Sequence, residues 1–215
     1  MDELAIVAAG RAVPEAIDRI RRYCGLPWSG GPPETWAWPY FDAVPTAPDN
    51  VVGPVDVLCA AALHPGLSRN DLAWFRAHQD DLAAWLNEIP VVQRLWELSE
   101  QDVRHIVSLP DALEGPSISL LSKVLHRKRP DAIPLLDRHV IDWYRPVTGK
   151  RSAVEAWGEI VVAIRDEESD GERRVLTAVA LAEVNRDLWS DLGPDERPGL
   201  SWIRAKDIAI WMGSQ

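Results

Sequence analysis

Ser68, Ser99 and Ser152 each stand three residues before an acid (Asp71, Asp102 and Glu155), and each pair opens a stretch with apolar residues at intervals of three and four. A serine oxygen there accepts a free N–H of the first helical turn, and the acid returns a bond to the serine's own N–H. The pattern therefore marks helix starts, and it recurs widely enough to predict an all-α fold. In SRNDLAWFRAHQDDLAAWLNEIP the apolar positions are 72, 75, 82, 85 and 86, and Pro90 ends the helix. An earlier helix is predicted over 12–24, with Pro14 in its first turn and Gly25 just past its end. PVDVLCAAALH reads as a short central helix. GERRVLTAVALAEVNRDLW repeats apolar residues at 175, 176, 179, 180, 181 and 184, which predicts one inward face. Ser201 caps a last helix in LSWIRAKDIAIWMG, and no strand alternation of useful length occurs.

Residues 25–54 differ in kind. They hold seven of the 17 prolines and three of the 11 tryptophans. Proline forbids a long helix there, while Trp28, Trp36, Trp38, Tyr40 and Phe41 need a surface to pack on. The segment is expected to wrap, ordered, over the helical body, and residues 1–215 are read as a single domain.

The chain is long enough to bury a core without disulfides or metals, and it has no apolar run of the roughly 20 residues a membrane span needs. Two cysteines, Cys24 and Cys59, exclude a disulfide framework, an iron–sulfur cluster and an all-cysteine zinc site. The five histidines show no metal-ligand spacing, so no cofactor is expected. The first residues carry acids where a secretion signal carries bases, which points to the cytoplasm. A net charge of −10 argues against general affinity for nucleic acid. Residues 122–151 nevertheless hold eight Lys or Arg against three Asp, a local +5 that leaves −15 on the rest. Such an island is an anion site or an exposed helix face.

The island lies within LEGPSISLLSKVLHRKRPDAIPLLDRHV, residues 113–140. This segment resembles the helix-hairpin-helix DNA glycosylases (the HhH-GPD superfamily), whose hairpin reads roughly LPGVGRKTA and whose catalytic aspartate lies in a VDTHV-like segment. LEGPSISLL falls on the hairpin and LLDRHV on the aspartate segment, without a gap. Over a longer span, SKVLHRKRPDAIPLLDRHV and the terminal IRAKDIAIWM are similar to a bacterial family called domain of unknown function 6308. The glycosylase resemblance implies a helix-hairpin-helix glycosylase-like helical domain with the Pro/Trp-rich segment as an N-terminal wrap. It places Asp137 as the catalytic carboxylate that stabilises an oxocarbenium-like transition state or orients water. Ser119 stands where lyase-active relatives have their Schiff-base lysine, so the implied activity is a monofunctional glycosylase, releasing a base without cutting a strand. Gly115, Ser117 and Ser119 would meet a phosphate, with Lys123, His126, Arg127, Lys128, Arg129, Arg138 and His139 as neighbouring binding residues. DNA or a nucleoside-type small molecule is the implied partner, and no membrane.

Several residues depart from that pattern or have simpler roles. Pro116 removes an N–H from the hairpin, and Ser117 replaces a glycine that lets phosphate approach closely. Asp137 makes a good N-cap for DRHVIDWYR, with Leu136 and Ile141 as a hydrophobic staple, a role compatible with catalysis. His126 reads as a solvent-facing or anion-binding residue, and Trp143 and Tyr144 as core filling or as base-stacking rings. Two further functions stay open: a nucleic-acid or protein binding scaffold that has lost the chemistry, and a small-molecule enzyme using a cleft between the hairpin side and the wrap.

Overall fold

A computed structural model of the chain describes residues 6–34, 36–46, 49–64, 66–91, 93–188 and 200–214, with the side chains of residues 172–174 and 176 left aside. About this much the fold is helical. A two-residue antiparallel ladder, β1 (Val7–Ala8) with β2 (Arg11–Ala12), precedes α1 (Ala16–Tyr23), so the first helix starts later than residue 12 and Pro14 lies before it. Gly25, at φ +73°, ends α1: its N–H meets Arg22 O, and the Leu26 N–H meets Arg21 O. That double bond requires a left-handed residue, which glycine supplies without strain.

α2 (Pro54–Ala60) is half-buried rather than central, with Val55 and Leu58 turned to solvent. The long helix predicted from Ser68 is two helices, α3 (Arg69–Ala77) and α4 (Gln79–Asn87). Between them His78, at φ −111°, sets both its backbone N–H and its ring Nδ1 on the Trp74 carbonyl. α5 (Glu100–Val107) and α6 (Leu109–Ala112) lead to α7 (Ile118–His126). α8 (Arg138–Thr148), α9 (Ala153–Ser169) and α10 (Gly171–Leu188) follow, and α11 (Trp202–Met212) closes the chain. The serine caps at 68, 99, 152 and 201 all form, each accepting the N–H three residues on.

α7 is buried along nearly its whole length, packed between α2 and α9. α9 carries Trp157, Ile160, Val161 and Ile164 into the same core, and α11 lies across α1, α8 and α10. The inward face of α10 is Thr177, Ala180, Leu181 and Val184; Val175 and Val179, expected to face inward, point to solvent. Phe41 of the wrap is buried, Trp28, Trp36 and Trp38 are half-buried, and Tyr40 is exposed. Among the described residues no helix is long and apolar enough to cross a membrane, and no group of three or more His, Cys, Asp or Glu could hold a metal.

Candidate functional site

The basic island is divided: Lys123, Arg127, Lys128 and Arg129 turn inward, whereas Arg138, Arg145 and Arg151 are exposed. Lys123, His126, Lys128 and Arg129 are each no more than 3% exposed, and Arg127 is 9% exposed. Arg127 donates to the carbonyls of Phe41, Val44 and Pro45 and to Asp56. Arg129 donates to the carbonyls of Leu86, Ile89, Asp49 and Lys128 and to Asn50 Oδ1. Lys128 meets Thr46 Oγ1 at 2.7 Å and Asp56 Oδ2 at 2.6 Å. Burial pushes the Asp56 carboxyl up, but bonds from Lys128, Thr46 and the Gly53 N–H outweigh it and hold it below its usual value. A proline-rich wrap presents many carbonyls and few N–H groups, and buried guanidiniums supply the missing donors. Arg127, Lys128 and Arg129, expected from sequence to meet a phosphate, direct these donors at the wrap and the body.

The hairpin is also closed. The Trp74 indole N–H donates to Glu114 O at 2.9 Å, and its ring covers Gly115, where a Cβ would lie 2.2 Å from the indole. Gly115 therefore makes room for tryptophan at the place where phosphate was expected to approach. Ser117 caps α7, its Oγ accepting the Leu120 N–H at 3.3 Å. His126 does not face solvent. Its Nδ1 lies 2.6 Å from Ile133 O, and burial pulls the imidazole down to about 4. Arg138 is exposed on the first turn of α8, and His139 is half-buried beside Trp143, away from the cleft described next.

Asp137 sits at the start of α8 as expected for a cap. Its Oδ1 accepts the N–H of His139 at 2.8 Å and of Val140 at 3.0 Å, and Leu136 and Ile141 are buried on either side. Among the described residues its Oδ2 takes no hydrogen bond. Asp137 opens on a narrow cleft lined also by Tyr23, Leu63, Lys123, Leu135, Arg204, Asp207 and Trp211. Lys123 is one turn beyond Ser119 on α7. Its Nζ donates to Ser119 Oγ at 2.9 Å and to the carbonyls of Ser119 and Leu136, both at 3.3 Å. Burial lowers its pKa, opposed by Asp137 and Asp207.

The far wall is one face of α11. Residues 204, 207 and 211, spaced three and four apart, bring Arg204, Asp207 and Trp211 to the cleft. Arg204 grips Asp42 of the wrap through Nε at 2.6 Å and Nη2 at 2.9 Å, and it bonds Tyr23 and Asp207 Oδ2. Tyr23 donates to Asp42 at 2.7 Å. Arg204 also borders a second, wider cleft under the wrap, walled by Trp38, Phe41, Val44, Pro45 and Leu200. Sequence reading passed over Arg204 and Asp207. The available signal was three charges, at 204, 206 and 207, inside an otherwise apolar helix, where each must be paired or neutral.

Fold and cleft together define a helical domain whose Pro/Trp-rich wrap is locked down by buried guanidiniums beside an ionisable cleft. A family model described as a family of unknown function, DUF6308, matches residues 16–214, and the chain belongs to that family. No curated protein and no solved structure matches it.

Proposed function

We propose that this protein is an enzyme that cleaves an N-glycosidic bond with the help of Asp137, and that its substrate is a base-bearing sugar of nucleoside size rather than duplex DNA. The observation that carries the reading is Asp137, whose Oδ2 takes no hydrogen bond among the described residues and which lines a cleft that also holds a buried amine and a second carboxyl group. Loss of a base leaves positive charge spread over the sugar ring, and a carboxylate fixed beside that ring opposes the charge better than water does. Ser119 offers no amine, and Lys123 has each of its three protons on an oxygen of its own chain, which favours hydrolysis over a Schiff-base route.

Three features favour a small substrate. The basic cluster is committed to the wrap, the hairpin lies under Trp74, and the net charge is −10. The same features motivate a second reading, a scaffold that keeps the helical body without the chemistry. Free base measured after incubation with a panel of ribo- and deoxynucleosides, and with lesion-bearing single and double strands, separates the two. Release from nucleosides supports the enzyme. No release from any member of the panel rejects it, and salt-sensitive duplex binding without release supports the scaffold.

A further inference from the structure

The wider cleft under the wrap has a cavity volume of about 230 Å³. An apolar cavity of roughly 150 Å³ already takes up benzene, so this one has room for one ring or two fused rings. Its walls are mostly apolar: Trp38, Phe41, Val44 and Pro45 come from the wrap, and Pro130 and Leu200 from the body. The two guanidiniums that border it fasten the wrap in place. Arg127 holds the Phe41, Val44 and Pro45 carbonyls, and Arg204 holds the Asp42 carboxylate. A wall pinned in this way needs no ordering by a ligand, which favours binding.

Two features decide the chemistry of an occupant. The charges bordering the cleft are already answered, Arg127 by Asp56 and Arg204 by Asp42 and Asp207. A charged molecule would give up its water there without a free counter-charge, so the cleft suits a neutral one. His126 supplies the directional group. It lines the cleft from the end of α7, and its Nδ1 lies 2.6 Å from Ile133 O. A carbonyl only accepts, so Nδ1 carries the ring hydrogen and Nε2 keeps a lone pair. Burial, with Arg204 adding to it, pulls the imidazole down to about 4, so the ring stays neutral at ordinary pH. Among the described residues Nε2 takes no hydrogen bond, and it is the acceptor that this ring offers the cleft.

Independently of the glycosidic reading, we propose that the cleft under the wrap binds a neutral aromatic molecule of one or two rings. Its single donor, an indole N–H or a phenol O–H, is given to His126 Nε2. Trp38 and Phe41 offer ring faces and edges to the occupant's rings, and Val44 and Leu200 close on its apolar edge.

Indole and benzofuran test this, since they share a shape and only indole carries an N–H. Calorimetric titration of the full chain should give one site for indole and about tenfold weaker binding for benzofuran, the worth of one hydrogen bond. In nitrogen NMR of the histidine-labelled chain, indole should shift the unprotonated ring nitrogen of one histidine, and benzofuran should not. Val44→Trp fills the cleft from the wrap while leaving the Val44 carbonyl for Arg127, and it should abolish both the indole heat and the histidine shift. The indole–benzofuran comparison needs no variant, so a poorly folded Val44→Trp would not block the test. No binding of indole, equal binding of the two, or undiminished binding by a folded Val44→Trp would overturn the proposal.

Discussion

Glu168, on α9, is 2% exposed, and among the described residues neither of its carboxylate oxygens has a hydrogen-bond partner. Lys206 Nζ is 3.9 Å from Oε1, too far to bond, because it donates instead to Glu167 Oε2 at 3.0 Å. Burial consequently pushes the Glu168 carboxyl up from 4.5 to about 8, with Lys206 opposing the rise and Glu167 and Asp131 adding to it. Between those pH values the folded chain holds a proton that the unfolded chain lacks. Stability therefore falls as pH rises through that window, and above about pH 8 the loss is complete. At about 1.4 kcal/mol per pH unit, the span from 4.5 to about 8 amounts to roughly 5 kcal/mol. Glu168→Gln keeps the shape and removes the titration. Urea unfolding of both proteins from pH 5 to pH 9 should show the variant gaining on the wild type by roughly 4 kcal/mol across the range. Asp207 and His126 also titrate there, but they do so in both proteins and cancel in the difference. A difference that stays level with pH would refute the reasoning.

Other perturbations probe the wrap, the hairpin and the cap. Arg129→Ala strands the buried Ile89 carbonyl and takes one donor from Leu86 O, which keeps the Ile89 N–H, and should cost roughly 2–4 kcal/mol in urea unfolding, with Arg129→Lys restoring little because one ammonium cannot reach all those acceptors. Gly115→Ala should cost about 1–3 kcal/mol through its clash with Trp74, and combining it with Trp74→Ala should cancel most of that added cost in a double-mutant cycle. Asp137→Ala should lose about 1 kcal/mol of stability with the α8 cap, whereas Asp137→Asn should lose little, since asparagine caps as well.

Local features of the fold were the legible ones. The serine caps at 68, 99, 152 and 201, and the cap and staple at Leu136, Asp137 and Ile141, each depend on residues within a turn of one another. Helix breaks without proline or glycine, such as the one at His78, leave no such mark. The same holds for the choice of inward face on α10, where the apolar residues span more than one stripe. Direction was the larger obstacle. A charge count shows that Arg127, Lys128 and Arg129 are together but not that they turn away from solvent, since their acceptors, the Lys128 carbonyl apart, lie 40 to 86 residues earlier in the chain. Arg204 is read as part of a site only once Asp42, 162 residues away, is seen against it. Asp137 could be singled out from sequence, but its neighbours Arg204, Asp207 and Trp211 come together only through the placement of α11 against α1 and α8.

The central claim is that Asp137 assists cleavage of an N-glycosidic bond, and single-turnover release of free base from a purine nucleoside by the wild type and Asp137→Asn addresses it most directly. Asparagine keeps the helix cap and removes the charge, so the two proteins should unfold at nearly the same urea concentration while base release falls by about 10²-fold or more. Equal release by both, or none by the wild type, would contradict the account.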